Sequence, residues 1–200
     1  MKTKMRTLTA ATAVSAALVT GITAIPAMAS TAGPGASATS VSATATAQTL
    51  QPWPVLSQGS NSTWPLATVR SLQYLLNAHG AKLAVDGLFG PKTKAAVITF
   101  QRSHGLAATG VVNAGTWRSL IVTVRQGSVG PAVRAVQDQI NFRNNKDGRT
   151  LIVDGIFGPK TAAAVKAFQR AMSIEISGFA VDGIVGPQTW QALVTEALSG

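Results

Sequence analysis

The chain has 200 residues, 46% of them hydrophobic and 12% charged, with no cysteine. That composition permits a packed core and excludes disulfide staples, thiolate ligands and a cysteine nucleophile. The formal charge of +10, from 17 Lys and Arg against 7 Asp and Glu, suggests an anionic partner only if the charge lies on the folded part.

Lys2, Lys4 and Arg6 precede an uncharged stretch from Leu8 to Ile25, which ends in Pro26, Ala27, Met28 and Ala29. A charged start, an apolar middle and small residues at a cleavage point are the order of a secretory leader, so residues 1–29 read as a signal peptide cut after Ala29. No later segment is long and apolar enough to serve as a retained membrane anchor. Cleavage would leave a secreted, extracellular chain of net charge +7. Residues 30–54 follow as an Ala/Ser/Thr-rich flexible spacer. Trp53, and Trp64 beyond it, read as partly packed against the first folded unit, with stacking on a sugar or base as the other use of an exposed indole.

The remainder repeats itself, and two modules, 55–121 and 122–200, account for the length better than one large domain. VDGLFGPKT at 85–93 recurs as VDGIFGPKT at 153–161, FQR at 100–102 recurs at 168–170, and VRSLQYLLN at 69–77 matches VRAVQDQIN at 133–141. The offset shifts between these segments place extra residues in loops, four near 144–150 and five between Gln169 and Val181. Each module reads as a three-helix bundle. Val69, Leu72 and Leu76 give the first helix one apolar face, as do Val133, Val136 and Ile140 in the copy. The second helix starts near Pro91 or Pro159, where a missing amide proton does no harm. Ala96, Val97 and Phe100 line it, matched by Ala164, Val165 and Phe168. A short third helix carries Thr116, Trp117 and Leu120 or Thr189, Trp190 and Leu193, the latter continuing towards Leu198.

The Asp-Gly…Gly-Pro phrase appears a third time as VDGIVGPQT at 181–189, while module one has ATGVVNAGT there, with Thr109 at the Asp position. These are loop-to-helix joints, in which Asp86, Asp154 or Asp182 accepts local backbone bonds and Gly87, Gly155 or Gly183 supplies the turn.

Each half resembles the peptidoglycan-binding domain 1 family, the small three-helix modules attached to many bacterial wall enzymes. The marks are VRxxQ at Val69 to Gln73 and Val133 to Gln137, the DGxFGPxT joint, AVxxFQ at Ala96 to Gln101 and Ala164 to Gln169, and a terminal TW. The resemblance covers nearly all of residues 55–198 and implies an all-α fold and noncovalent attachment to peptidoglycan. Members usually carry a hydrolase, amidase or peptidase domain beside the module, whereas here both modules take up the foldable length.

The expectation is thus a noncatalytic, monomeric wall binder without cofactor, metal or nucleic-acid partner. His79 and His104 read as helix C-terminal caps rather than metal ligands, and Glu175 and Glu196 lack partners for acid-base work. Candidate ligand-binding side chains are Gln73, Asp86, Thr93 and Gln101 with Gln137, Asp154, Thr161 and Gln169 in the copy. Local bonding and capping are the structural alternatives. Phe89, Phe157, Trp117 and Trp190 read as core. Residues 57–121 carry six basic side chains and Asp86 alone, so Arg70, Lys92, Lys94 and Arg102 are the candidates for attracting wall carboxylates or anionic wall polymers. An interaction adaptor for an exported wall enzyme is the competing use of the same bundles, and a cell-wall hydrolase with an unrecognised site is the third reading.

Overall fold

The structure, a computed structural model, describes residues 49–61, 67–143 and 151–195. The expected leader, the spacer before Thr49, Trp64, the insertion near 144–150, Glu196 and Leu198 lie outside them. Six helices occur among the described residues: α1 (Thr68–Ala78), α2 (Pro91–Ser103) and α3 (Ala114–Leu120), then α4 (Pro131–Arg143), α5 (Pro159–Glu175) and α6 (Pro187–Val194). Proline opens α2, α4, α5 and α6, where its fixed φ suits the first helical position. Asn113 caps α3 by accepting the Thr116 amide at 3.0 Å. His79 and His104 are the C-cap residues of α1 and α2, as the sequence suggested.

The two three-helix modules are built alike. Short antiparallel bridges, Leu56 to Val112 and Asn61 to Leu88 in the first, recur as Val124 to Val185 and Val129 to Ile156 in the second. Trp117 and Trp190 are fully buried, and each indole nitrogen donates at 2.8 Å to the segment leading into its own module, Pro54 O or Val122 O. Asn77 grips both backbone groups of Leu83, and Asn141 grips Leu151 in the same way.

The modules are not separate beads. A continuous apolar core runs through both, joined where α1 packs along α4. Thr68, Ser71 and Leu75 lie three and four residues apart on α1, and Ala132, Ala135 and Gln139 hold the matching positions on α4; all six are buried. Buried Gln139 donates to Ser71 Oγ at 2.8 Å, Thr68 Oγ1 donates to Val194 O at 3.3 Å, and Arg70 pairs with Asp138.

Three expectations need correction. First, Trp53 packs on the first module as expected, and that packing docks the end of the stretch read as a flexible spacer. Trp53 is 8% exposed and stacks on Trp117 with ring centroids 5.9 Å apart, while Leu50 packs beside Met172, Ile176 and Phe179 in the second module. Gln191 also donates to Gln51 O at 2.7 Å, so the apolar burial of two large side chains outweighs the polar neighbours that suggested a linker. Second, the extra residues after Gln169 are not all loop. They lengthen α5 to 17 residues against 13 in α2, because Met172 and Ile176 extend the buried face and close a satellite cluster with Phe179 and Ala192. Third, the last helix stops at Val194. Thr195 is extended, and Arg143 takes the carbonyls of Ala192, Leu193 and Thr195 at 2.6–2.9 Å.

Candidate functional site

Four joints of one design organise the bundles, and each is locked by a glutamine from the preceding helix. Gln73 on α1 donates through Nε2 to Asp86 Oδ1 at 2.7 Å, Leu88 O at 3.1 Å and Thr93 Oγ1 at 3.3 Å, and its Oε1 accepts the Gly87 amide at 2.9 Å. Gln137 on α4 repeats this with Asp154, Ile156, Thr161 and Gly155. Gln169 on α5 repeats it with Asp182, Ile184, Thr189 and Gly183. The fourth, Gln101 on α2, bonds Val111 O, Thr116 Oγ1 and the Gly110 amide, while Thr109 takes the part of the aspartate by accepting the Val111 amide at 3.1 Å.

The glycines are required at these joints. Gly87, Gly110, Gly155 and Gly183 have φ between +71° and +79°, where a side chain is strained. A Cβ at Gly155 would also meet Gly130 O at 3.1 Å, and one at Gly183 would meet Lys166 Cε at 2.8 Å.

The side chains expected to line a groove are therefore turned inward. Gln73, Gln101, Gln137, Gln169, Thr93 and Thr161 are all buried, and their polar atoms are engaged in the joints. Asp86 and Asp154 are exposed, but each holds two donors, the clamp amide and the amide two residues on. The Gln73 amide, then the Leu88 amide, hold the Asp86 carboxyl below its ordinary value; for Asp154 the Ile156 amide leads, followed by Gln137. The sequence showed the Asp-Gly phrase and the glutamines separately. Their pairing is a tertiary fact, repeated at 13 residues in two joints, at 17 where a longer loop intervenes, and shorter still for Gln101.

The electrostatic candidates do not converge either. Arg70 is paired with Asp138, whose carboxyl burial pushes up and Arg70 pulls back down. Lys94 lies with its stem over Gly110, close enough that a Cβ there would meet Lys94 Cγ at 2.9 Å. Lys92 and Arg102 are exposed at opposite ends of α2, about 15 Å apart along its axis.

A cleft of about 320 Å³ opens instead where the C-terminal ends of α1 and α2 meet the chain after α1. Leu76, Leu83, Ala96 and Phe100 form its apolar part, with His79, Lys82, Thr99 and Ser103 among its polar lining. The imidazoles are fixed. His79 Nε2 lies 2.9 Å from Leu120 O and His104 Nδ1 lies 2.9 Å from Phe100 O; because a carbonyl only accepts, both nitrogens carry the proton. His104 stacks on Phe100 at 3.9 Å, and His79 meets both rings edge-on. In the second module Arg143 stands in the place of His79, clamping the end of the third helix and lying 5.5 Å over the Phe168 ring.

Among the described residues, no group of three or more His, Asp or Glu gathers to hold a metal ion, and no helix is long and apolar enough to cross a membrane.

The family described as "Putative peptidoglycan binding domain" matches twice, over residues 66–120 and 129–193. The chain is 36% identical over 125 residues to a zinc D-Ala-D-Ala carboxypeptidase of Streptomyces albus G, covering 62% of this chain and 44% of that protein. It is 29% identical over 146 residues to the N-acetylmuramoyl-L-alanine amidase CwlL of Bacillus licheniformis, covering 68% of this chain and 38% of the relative. The chain thus spans less than half the length of either. Among solved structures, a peptidoglycan-binding protein of Clostridioides difficile is 33% identical over 34% of this chain and 40% of its own, with a TM-score of 0.31.

Proposed function

Because this chain belongs to the peptidoglycan-binding domain family, which it matches once in each repeat, we propose that it is an exported, noncatalytic protein that attaches to the peptidoglycan of a bacterial wall. The observation that carries this function is the double match itself, which coincides with the two bundles α1 to α3 and α4 to α6. Export is supported by the order of charge, apolar residues and small residues in 1–29. The charge asymmetry, net +5 over residues 57–121, supports a contribution from wall carboxylates or anionic wall polymers to retention.

The fused core gives the two repeats a fixed mutual geometry, so simultaneous contact with one polymer depends on the spacing set by α1 against α4 rather than on a linker. The test is cosedimentation with purified sacculi, with and without attached anionic polymers, over a salt series, with soluble muropeptides measured in the supernatant. Retention that falls steeply with salt identifies an electrostatic anchor, while retention that persists identifies a shaped site. Absence of retention on both preparations would sink wall binding, and sustained muropeptide release would sink the noncatalytic role.

A further inference from the structure

The two repeats share their joints and differ at one end of the bundle. In the first, the ends of α1 and α2 leave the cleft of about 320 Å³ with Lys82, Thr99 and Ser103 in its lining. In the second, the positions equivalent to Thr99 and Ser103 are Ala167 and Ala171, and His104 is replaced by Met172, which is 1% exposed. Arg143, in the place of His79, is committed to three backbone carbonyls and the Phe168 ring. Among the described residues, Thr99, Ser103 and His104 of the first repeat are thus replaced by Ala167, Ala171 and Met172 in the second, and Arg143 is engaged.

Resting on the wall-binding function above, we infer that the two repeats are unequal: the cleft of the first is the recognition subsite, its ligand is a short peptide bearing a free carboxylate, and the second repeat holds it in place. Charge complementarity sets the carboxylate. No Asp or Glu lines the cleft, and Lys82 has no carboxylate partner among the described residues. Asp86, the one acid between residues 57 and 121, lies in a joint and not in the cleft lining. Leu76, Leu83, Ala96 and Phe100 give the cleft an apolar surface for the rest of the ligand to cover. The volume lies at the lower end of the range for small-ligand sites. A polyol phosphate would satisfy Lys82 and leave that apolar surface uncovered, so a peptide of the wall stem fits better than an attached polymer.

The test titrates the full chain with N-acetyl-alanyl-alanine of L,L and D,D configuration, with the C-terminal amide of each, and with glycerol phosphate, alongside sacculus retention. The acid of at least one configuration is expected to bind about tenfold more tightly than its amide, the effect of one charge-assisted hydrogen bond. Ala96→Leu, which puts a bulky side chain into the cleft, should weaken peptide binding and reduce retention, whereas Ala164→Leu at the equivalent place in α5 should change neither. Because Ala96→Leu could disturb packing, unfolding is followed in parallel, and the exposed Lys82→Met must lose about the same tenfold on its own. If wild-type chain is retained but Ala96→Leu and Lys82→Met are retained equally, the subsite is refuted and wall binding stands. If wild type is not retained at all, wall binding itself fails. Equal losses from Ala164→Leu would overturn the inequality of the repeats, and binding of glycerol phosphate without peptide would overturn the ligand class.

Discussion

Replacing Gln73 separates a residue that holds the fold from one that touches a ligand. In Gln73→Leu the buried Gly87 amide loses its acceptor, and Leu88 O, Asp86 Oδ1 and Thr93 Oγ1 lose a shared donor. Asp86 and Leu88 are exposed and can turn to water, so the principal cost is the orphaned amide, with a smaller contribution from the buried threonine. Together these come to about 2–3 kcal/mol. For a chain of this size that lowers the unfolding temperature by about 4–12 °C. Gln73→Glu is more diagnostic. It sets a carboxylate oxygen where Nε2 lay 2.7 Å from Asp86 Oδ1, so the new carboxyl has its folded pKa raised above its unfolded value. Stability then improves as pH falls through that raised pKa. Wild type does the opposite, because its Asp86 carboxyl lies below its ordinary 3.8 and the associated stability is lost as pH falls below that value. The assay is thermal unfolding of both variants from pH 7 to pH 3, with sacculus retention measured at pH 7 on folded protein. Unfolding unchanged within about 0.5 kcal/mol, together with lost retention, would refute the structural assignment and restore Gln73 to the binding surface.

Gly155→Ala should destabilise by about 1–3 kcal/mol in chemical denaturation, from the positive φ and the close Gly130 carbonyl, and a neutral result would contradict the joint geometry. Trp53→Ala should cost about 3–5 kcal/mol and speed proteolysis, since its ring is buried against Trp117; a silent change would return residues 50–54 to the spacer. Arg143→Met should lower the unfolding temperature more than His79→Leu, because the guanidinium serves three carbonyls and the imidazole one, and the reverse order would refute their equivalence. Asp86→Asn and Asp154→Asn together should flatten the loss of stability below pH 3.8, because both carboxyls lie below their ordinary value in the fold, and an unchanged acid limb would assign that loss to other groups.

The sequence by itself determined the repeat, the helix starts at proline, the buried tryptophans and the turn glycines, because these depend on local backbone preference and on apolar periodicity within one helix. It also carried the family, through residues close together along the chain. Tertiary structure alone decided what the polar side chains do. Gln73 and Asp86 are distant in sequence terms for a hydrogen bond, and no periodicity says that a buried glutamine will meet a joint rather than a ligand. The second buried face of α1, Thr68, Ser71 and Leu75, is too mixed to read as apolar, and it became an interface only because α4 offers Ala132, Ala135 and Gln139 at matching positions. Likewise no residue type links His79 to Arg143, since an imidazole and a guanidinium share no sequence signature. They became equivalent only once both were seen donating to the end of the third helix of their own module. Such bonds depend on which groups are brought together and sealed from water, and that is fixed by packing over the whole chain rather than by any segment of it.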